Sequence, residues 1–305
     1  MSLPFLQNYL GLSSGLQTMQ ASVAMSDATR GLFGGNSTNS NVIDYITIAT
    51  TGNALDFGDL TVGRGYMGSC ASATRGIFAG GYTPSNVIDY VTIATTGNAI
   101  DFGDLAATRY YIAGLASATR GIFAGGSSPT TDLIEYITIA TTGNATNFGI
   151  LTVSRYAPAG CADATRGLIG GGRLSSNVID YITIATTGNA TDFGDLTVGR
   201  GYISGCGGVT RALFSGGNGG AGYVNVIDYV TIASTGNATD FGDLTSIRGY
   251  HAGLASATRG IFAGGANLGG NIDDIDYITI ATTGNATNFG NLQSAKQSLG
   301  GCAGS

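Results

Sequence analysis

Residues 86–95 read NVIDYVTIAT, a run in which β-branched and aromatic side chains alternate with polar ones. A period of two predicts a strand with one face buried. Shorter segments on either side carry related patterns. RGYMGSCAS (64–72) predicts a first strand, with small residues suited to a crowded axis. RGIFAGG (75–81) predicts a second strand, ending in a glycine pair that permits positive φ. TGNA (96–99) reads as a turn and IDFGDL (100–105) as a short, more polar fourth strand. Four short antiparallel strands with no helical stretch between them describe one blade of a β-propeller.

The set recurs six times. The third-strand tyrosine falls at Tyr45, Tyr90, Tyr136, Tyr181, Tyr229 and Tyr277, a period of 45 to 48 residues, in the range of propeller blades and stacked arrays. Two spacings never change: 20 residues from the IDY acid to the next first-strand base, and 11 from that base to the next ATR arginine. The third, from ATR arginine to IDY acid, runs from 14 to 17. All insertion therefore falls between strands two and three, and in a repeat fold such loops share one face. These loops (36–41, 82–86, 127–133, 173–177, 218–225 and 266–273) supply the candidate partner-binding residues Asn36, Tyr82, Ser127, Thr130, Arg173, Tyr223 and Asn267. They read either as a recognition rim or as surface that drifts for want of constraint.

The expected fold is all-β: a six-bladed propeller of four-stranded antiparallel blades over residues 21–305, closed by a terminal strand. LQSAKQSLGGCAGS (292–305) repeats the first-strand pattern and stops where a second strand would begin. QASVAMSD (20–27) aligns with a first strand as well, so seven segments compete for six places. We expect closure by the C-terminal segment, with residues 1–20 as an arm that anchors to a partner. A spare strand would also permit pairing with a second copy of the chain.

Charge and rare residues narrow the chemistry. The net charge is −6, and twelve of the thirteen Lys and Arg residues occupy two fixed repeat positions, Arg173 being the exception. Positive charge is spread round the repeat, which argues against a nucleic-acid partner. No run approaches the length of a membrane span, and the first residues lack the basic region of a secretory signal. Cys70, Cys161, Cys206 and Cys302 share one repeat position, which predicts buried thiols rather than disulfides. The single histidine, His251, stands in a first strand where other copies are read as carrying Met67, Ile112, Ala157 or Ile203, and is expected to be a packed side chain.

Two charged series remain. Asp44, Asp89, Glu135, Asp180, Asp228 and Asp276 match in number the ATR arginines Arg30, Arg75, Arg120, Arg166, Arg211 and Arg259. They read as a charged ring around a channel or, as expected here, as one structural pair per blade. GNATDFGD (188–195) sets Asp192 and Asp195 three apart, which suits a Ca²⁺ loop or simple Asx turns. Neither a nucleophile beside a base nor a phosphate loop is present, so no catalytic residue, metal or cofactor is expected.

A glycine pair after an apolar strand, a tyrosine in the third strand, an aromatic in the fourth and an arginine opening the next first strand resemble the kelch repeat over about residues 21–305. The departure is Phe57, Phe102, Phe148, Phe193, Phe241 and Phe289, where kelch repeats usually carry Trp. The wording ATRGIFAGG followed by NVIDYITIATTGNATDFGDL resembles repeats in virion structural proteins of marine tailed phages, including cyanophages. That resemblance implies a non-enzymatic fibre, collar or decoration protein assembled in a host cytoplasm, joined to other virion proteins and touching a host-surface glycan or protein. A glycan- or protein-binding propeller outside any virion is the alternative.

Overall fold

The computed structural model describes residues 28–82, 85–173 and 175–305. The proposed arm at 1–20 and the competing strand at 20–27 lie outside them. The described chain forms six four-stranded antiparallel sheets, without a helix. The second blade is typical: Gly68–Ala71, Arg75–Ala79, Val87–Thr92 and Ile100–Asp104, ordered from inside to outside. Neighbouring innermost strands touch all the way round, so the sheets close into a propeller. The first blade takes its innermost strand from the far end of the chain. Gly300–Gly304 pairs with Arg30–Gly34, Cys302 opposite Leu32, which is the terminal closure expected from the repeat pattern.

Burial explains the alternation. Ile88 and Val91 are buried while Tyr90 is half-buried and Thr92 exposed. Six apolar clusters fill the joints between blades, each built from two neighbours; Phe102 and Leu105 of the second blade meet Phe123 and Ile137 of the third. The six fourth-strand phenylalanines are all buried, and each such ring contributes about 1.5–3 kcal/mol. Each is met edge-on by its blade's third-strand tyrosine, Tyr90 and Phe102 at 5.9 Å for example.

The TGN turn, repeated in every blade, covers a free edge. Gly97 and Ala99 donate N–H bonds to the Phe57 and Asp59 carbonyls of the preceding blade at 2.8 and 2.7 Å. Asn98 Oδ1 accepts from the Asp59 N–H at 3.1 Å. Asn53 does the same for Asn291 at the closing joint, at 3.1 Å. Outer strands that would otherwise offer an unpaired edge are thus occupied by the next blade.

The acids are paired, but not with the arginines expected. Asp89 bonds Arg64 at 2.9 Å, and Asp180, Asp228 and Asp276 bond Arg155, Arg200 and Arg248 at 2.9, 2.9 and 2.7 Å. Glu135 bonds Arg109, and Asp44 faces Lys296 at 2.6 Å. The reason is register. Asp44 lies opposite Phe33 while Arg30 lies opposite Thr47, three pairs away, or about 10 Å along the strands. Arg30, Arg75, Arg120, Arg166, Arg211 and Arg259 lie instead 4.6–5.1 Å from the tyrosine rings of their own blades. They reach forward as well, Arg75 donating to the Ile139 and Ala140 carbonyls of the next blade at 2.9 and 3.0 Å.

Each buried ion pair fastens the crossover that enters its blade. Arg200 joins Asp228 and the Phe214 carbonyl, at 2.9 and 3.0 Å, to the connecting segment. The Thr197 hydroxyl donates to the same carboxylate at 2.7 Å. Isolated buried charges would cost several kcal/mol, so these extra donors matter. In the first blade Gln293 stands where Thr61, Thr152, Thr197 and Thr245 serve elsewhere, and among the described residues none gives the Asp44 carboxylate a hydrogen bond beyond its ion pair with Lys296. Gln293→Thr should therefore raise stability by about 0.5–1.5 kcal/mol, read as a higher denaturation midpoint; no gain would mean that water already serves Asp44. A chain ending at Leu292 loses the first blade's innermost strand. Its melting temperature should fall by about 10 °C or more, and an unchanged circular-dichroism melt would show that another segment closes the ring.

Candidate functional site

The crossovers lead to one end of the central axis, where six residues carry positive φ without being glycine: Tyr66, Tyr111, Ala157, Tyr202, Tyr250 and Ser298, at +56 to +66°. Each such backbone costs about 1–2 kcal/mol and has to be imposed from outside. A closed ring of main-chain hydrogen bonds imposes it. Tyr111 N–H donates to the Tyr66 carbonyl, Ala157 to Tyr111, Tyr202 to Ala157, Tyr250 to Tyr202, Ser298 to Tyr250 and Tyr66 back to Ser298, all at 2.7–3.0 Å. One residue per blade thereby joins all six blades.

The ring of bonds collects tyrosines over the channel. Tyr202 and Tyr250 stack at 4.1 Å, Tyr66 meets Tyr111 at 4.6 Å, and Tyr111 reaches Tyr202 at 5.3 Å. The two small residues, Ala157 and Ser298, sit three blades apart, on opposite sides of the ring that carries the four large tyrosines. Tyr110 and Tyr156 extend the cluster, 5.1 and 5.8 Å from Tyr111. All six of these tyrosines are half-buried. Burial and the neighbouring hydroxyls push the phenols of Tyr111 and Tyr250 well above the usual range, so they act as neutral donors and acceptors.

Three of the loop residues singled out from the sequence join this mouth. Tyr82, exposed, lies 5.8 Å from Tyr66 and 5.2 Å from Tyr110. Tyr223 lies 6.3 Å from Tyr250, and the Arg173 guanidinium lies over Tyr202 at 5.5 Å. Arg173 is also the one cation of the chain outside the two repeat series. The others serve the loops themselves. Asn36 Oδ1 accepts from the Thr38 and Ser40 N–H groups, and Asn267 Oδ1 from Gly269. Ser127 exchanges main-chain bonds with Tyr110, and Thr130 is exposed.

Sequence reading missed Tyr66, Tyr110, Tyr111, Tyr156, Tyr202 and Tyr250, because it placed them inside a pleated first strand. The observed strand starts later, at Gly68 in the second blade. A signal was available: the buried base is followed two residues later by tyrosine in four repeats (RGY or RYY), while Ala157 and Ser298 break that position in the other two.

Beneath the tyrosines the channel is lined by Met67, Ile112, Pro158, Ile203, His251 and Leu299. Deeper still, a glycine at the same position of successive blades lets the inner strands close up; a Cβ on Gly160 would lie 2.5 Å from the Gly114 carbonyl oxygen. At the far end Cys70, Cys161, Cys206 and Cys302 are free and buried, as expected. Burial pushes the Cys206 and Cys302 thiols up to about 12, leaving them protonated and unreactive. Among the described residues no group of three or more His, Cys, Asp or Glu side chains is placed to hold a metal ion. The Asp195 N–H serves the edge-covering turn by donating to Asn237 Oδ1 at 3.0 Å.

No protein-family model matches the chain, and no curated protein shows significant similarity to it.

His251 is buried, its Nε2 2.8 Å from Ser215 Oγ. Burial, with Arg248 and Arg200 nearby, holds its pKa well below 6.5. The folded state therefore binds fewer protons than the unfolded chain once pH drops below about 6.5, and stability falls from there downward. Denaturation midpoints between pH 7 and 5 should show this loss in the native chain and lack it in His251→Leu/Ser215→Ala. Equal pH slopes would assign acid sensitivity to other groups.

Proposed function

We propose that the chain is a non-enzymatic binding module, in which a rigid propeller presents the tyrosine mouth and its surrounding loops to a glycan. The cluster of eight tyrosines carries this reading. The six-blade scaffold needs only the main chain at the positive-φ ring, as Ala157 and Ser298 demonstrate. Four tyrosines there are surplus to closure, and half-exposed rings gathered at a concave axis are the kind of surface that binding sites use. A tyrosine offers an apolar face for the C–H face of a sugar and a hydroxyl for its oxygens. The acidic chain, with twelve of its thirteen cations committed to ion pairs and main-chain carbonyls and only Arg173 left at the mouth, suits a partner that is not a polyanion.

The setting we propose is a tailed-phage particle, supported by the likeness of the repeat wording to virion structural proteins. Residues 1–20 would then join other virion proteins while the mouth faces a host-surface glycan. A glycan array probed with the purified chain tests the binding reading. Tyr202→Ala and Tyr250→Ala should each weaken every bound glycan about tenfold or more while the melting temperature stays within a few degrees. Unaltered binding by both variants would remove the mouth from the reading, and gold label absent from particles in the source culture would remove the virion.

A further inference from the structure

Three features coincide under the tyrosines. The first is a cavity of about 80 Å³ whose walls include Tyr66, Tyr111, Tyr202, Tyr250 and Ser298 of the ring, with His251 below. Such a space admits the end of a ligand, not a whole drug-sized molecule. The second is a pair of polar atoms without partners among the described residues: His251 Nδ1 and Ser298 Oγ make no hydrogen bond to them, although each residue is only 5% exposed. A buried polar group left unpaired costs stability, and native proteins keep few of them. The third is a coordinated break in the repeat. His251 stands where the other five blades carry Met67, Ile112, Pro158, Ile203 and Leu299. Ser215 stands where they carry only Gly34, Ala79, Ala124, Gly170 or Ala263. These two exceptions, from adjacent blades, bond each other at 2.8 Å.

The bond orients the ring. Ser215 Oγ lies 3.4 Å from the Ser204 carbonyl. The tautomer that serves all three groups has Nε2–H donating to Ser215 Oγ and the serine hydroxyl donating to Ser204. Nδ1 is then left as a bare acceptor. A second serine thus holds the histidine in an otherwise apolar layer, and His251 is one of the residues lining the cavity. The charged groups near the imidazole, Arg248 and Arg200, are taken up by Asp276 and Asp228. No carboxylate and no cation is among the residues lining the cavity.

We infer that this axial pocket takes the hydroxyl-bearing end of an uncharged sugar, with His251 Nδ1 accepting from one hydroxyl and Ser298 Oγ bonding another. The sugar ring rests against the tyrosines, and the residues lining the pocket offer no counter-charge to a charged sugar; Arg173, over Tyr202, lies outside that lining. The inference rests on the mouth being the binding surface and adds to it a ligand class and two specific contacts.

His251 is the only histidine in the chain, so its imidazole resonances need no assignment. The experiment titrates the ¹⁵N-labelled full chain with the methyl glycosides of glucose, galactose, mannose and N-acetylglucosamine, with methyl glucuronide as the charged comparison. At least one neutral glycoside should shift the Nδ1 resonance and the tyrosine ring signals along one saturation curve. The double variant His251→Leu/Ser215→Ala restores residue types found in other repeats and should keep the native melt. It should bind that glycoside about tenfold more weakly, and Ser298→Ala should weaken it too. Tyrosine shifts with a still imidazole, or native affinity in the double variant, would overturn the pocket while leaving the mouth in place. Tighter binding of the glucuronide would overturn the uncharged class, as would silence of both signal sets with every glycoside. The array with Tyr202→Ala then decides separately whether the mouth binds at all.

Discussion

Six innermost strands must meet around one axis, and the close main-chain approach this demands governs everything else in the molecule. In the middle of the channel glycine meets it, because a Cβ at Gly160 would run into the neighbouring carbonyl. At the mouth it is met by the hydrogen-bonded ring through Tyr66, Tyr111, Ala157, Tyr202, Tyr250 and Ser298, each held at positive φ. Backbone strain of this kind persists only where the surroundings over-determine it. Here every blade supplies one donor and one acceptor to the ring, so each strained residue is held from both sides.

The buried ion pairs work toward the same end. They join the incoming crossover to the second and third strands of its blade, just before the chain reaches the ring. The guanidiniums are desolvated, and burial lowers their pKa while the partner carboxylate opposes that shift. Replacing such pairs with apolar residues need not reduce stability. What they provide here is position: they fix the direction in which the chain arrives at the axis, and with it the placement of the tyrosine that follows.

Much of this was legible from the residues and some of it was not. Alternation over 86–95 and the sixfold period were enough for blades and strand order, because a half-buried strand leaves its mark on every second residue. They left two segments competing to close the ring, and the pairing of Gly300–Gly304 with Arg30–Gly34 decides between them. The pairing of the acids was read wrongly, although the right partner had left a trace. The acid-to-base spacing of 20 residues is invariant, whereas the distance to the ATR arginine varies with the loop. Equal numbers drew attention to the ATR series; register, which counts along paired strands, decides the contact. The mouth was hidden for a different reason. A left-handed residue interrupts the pleat without changing the residue types around it, so Tyr66 and its counterparts looked like ordinary strand positions. His251 and Ser215 each break the repeat, but that they touch across two blades is a long-range contact that the period alone does not give.

The central claim is that one ring of main-chain bonds holds both the propeller and its tyrosine mouth. Native-state amide hydrogen exchange measures it directly. The amides of Tyr66, Tyr111, Ala157, Tyr202, Tyr250 and Ser298 should exchange together and as slowly as those of the second strands, which open only when the whole fold does. Rapid or scattered exchange among the six, at rates typical of surface loops, would contradict the account and leave the tyrosines as residents of a mobile rim.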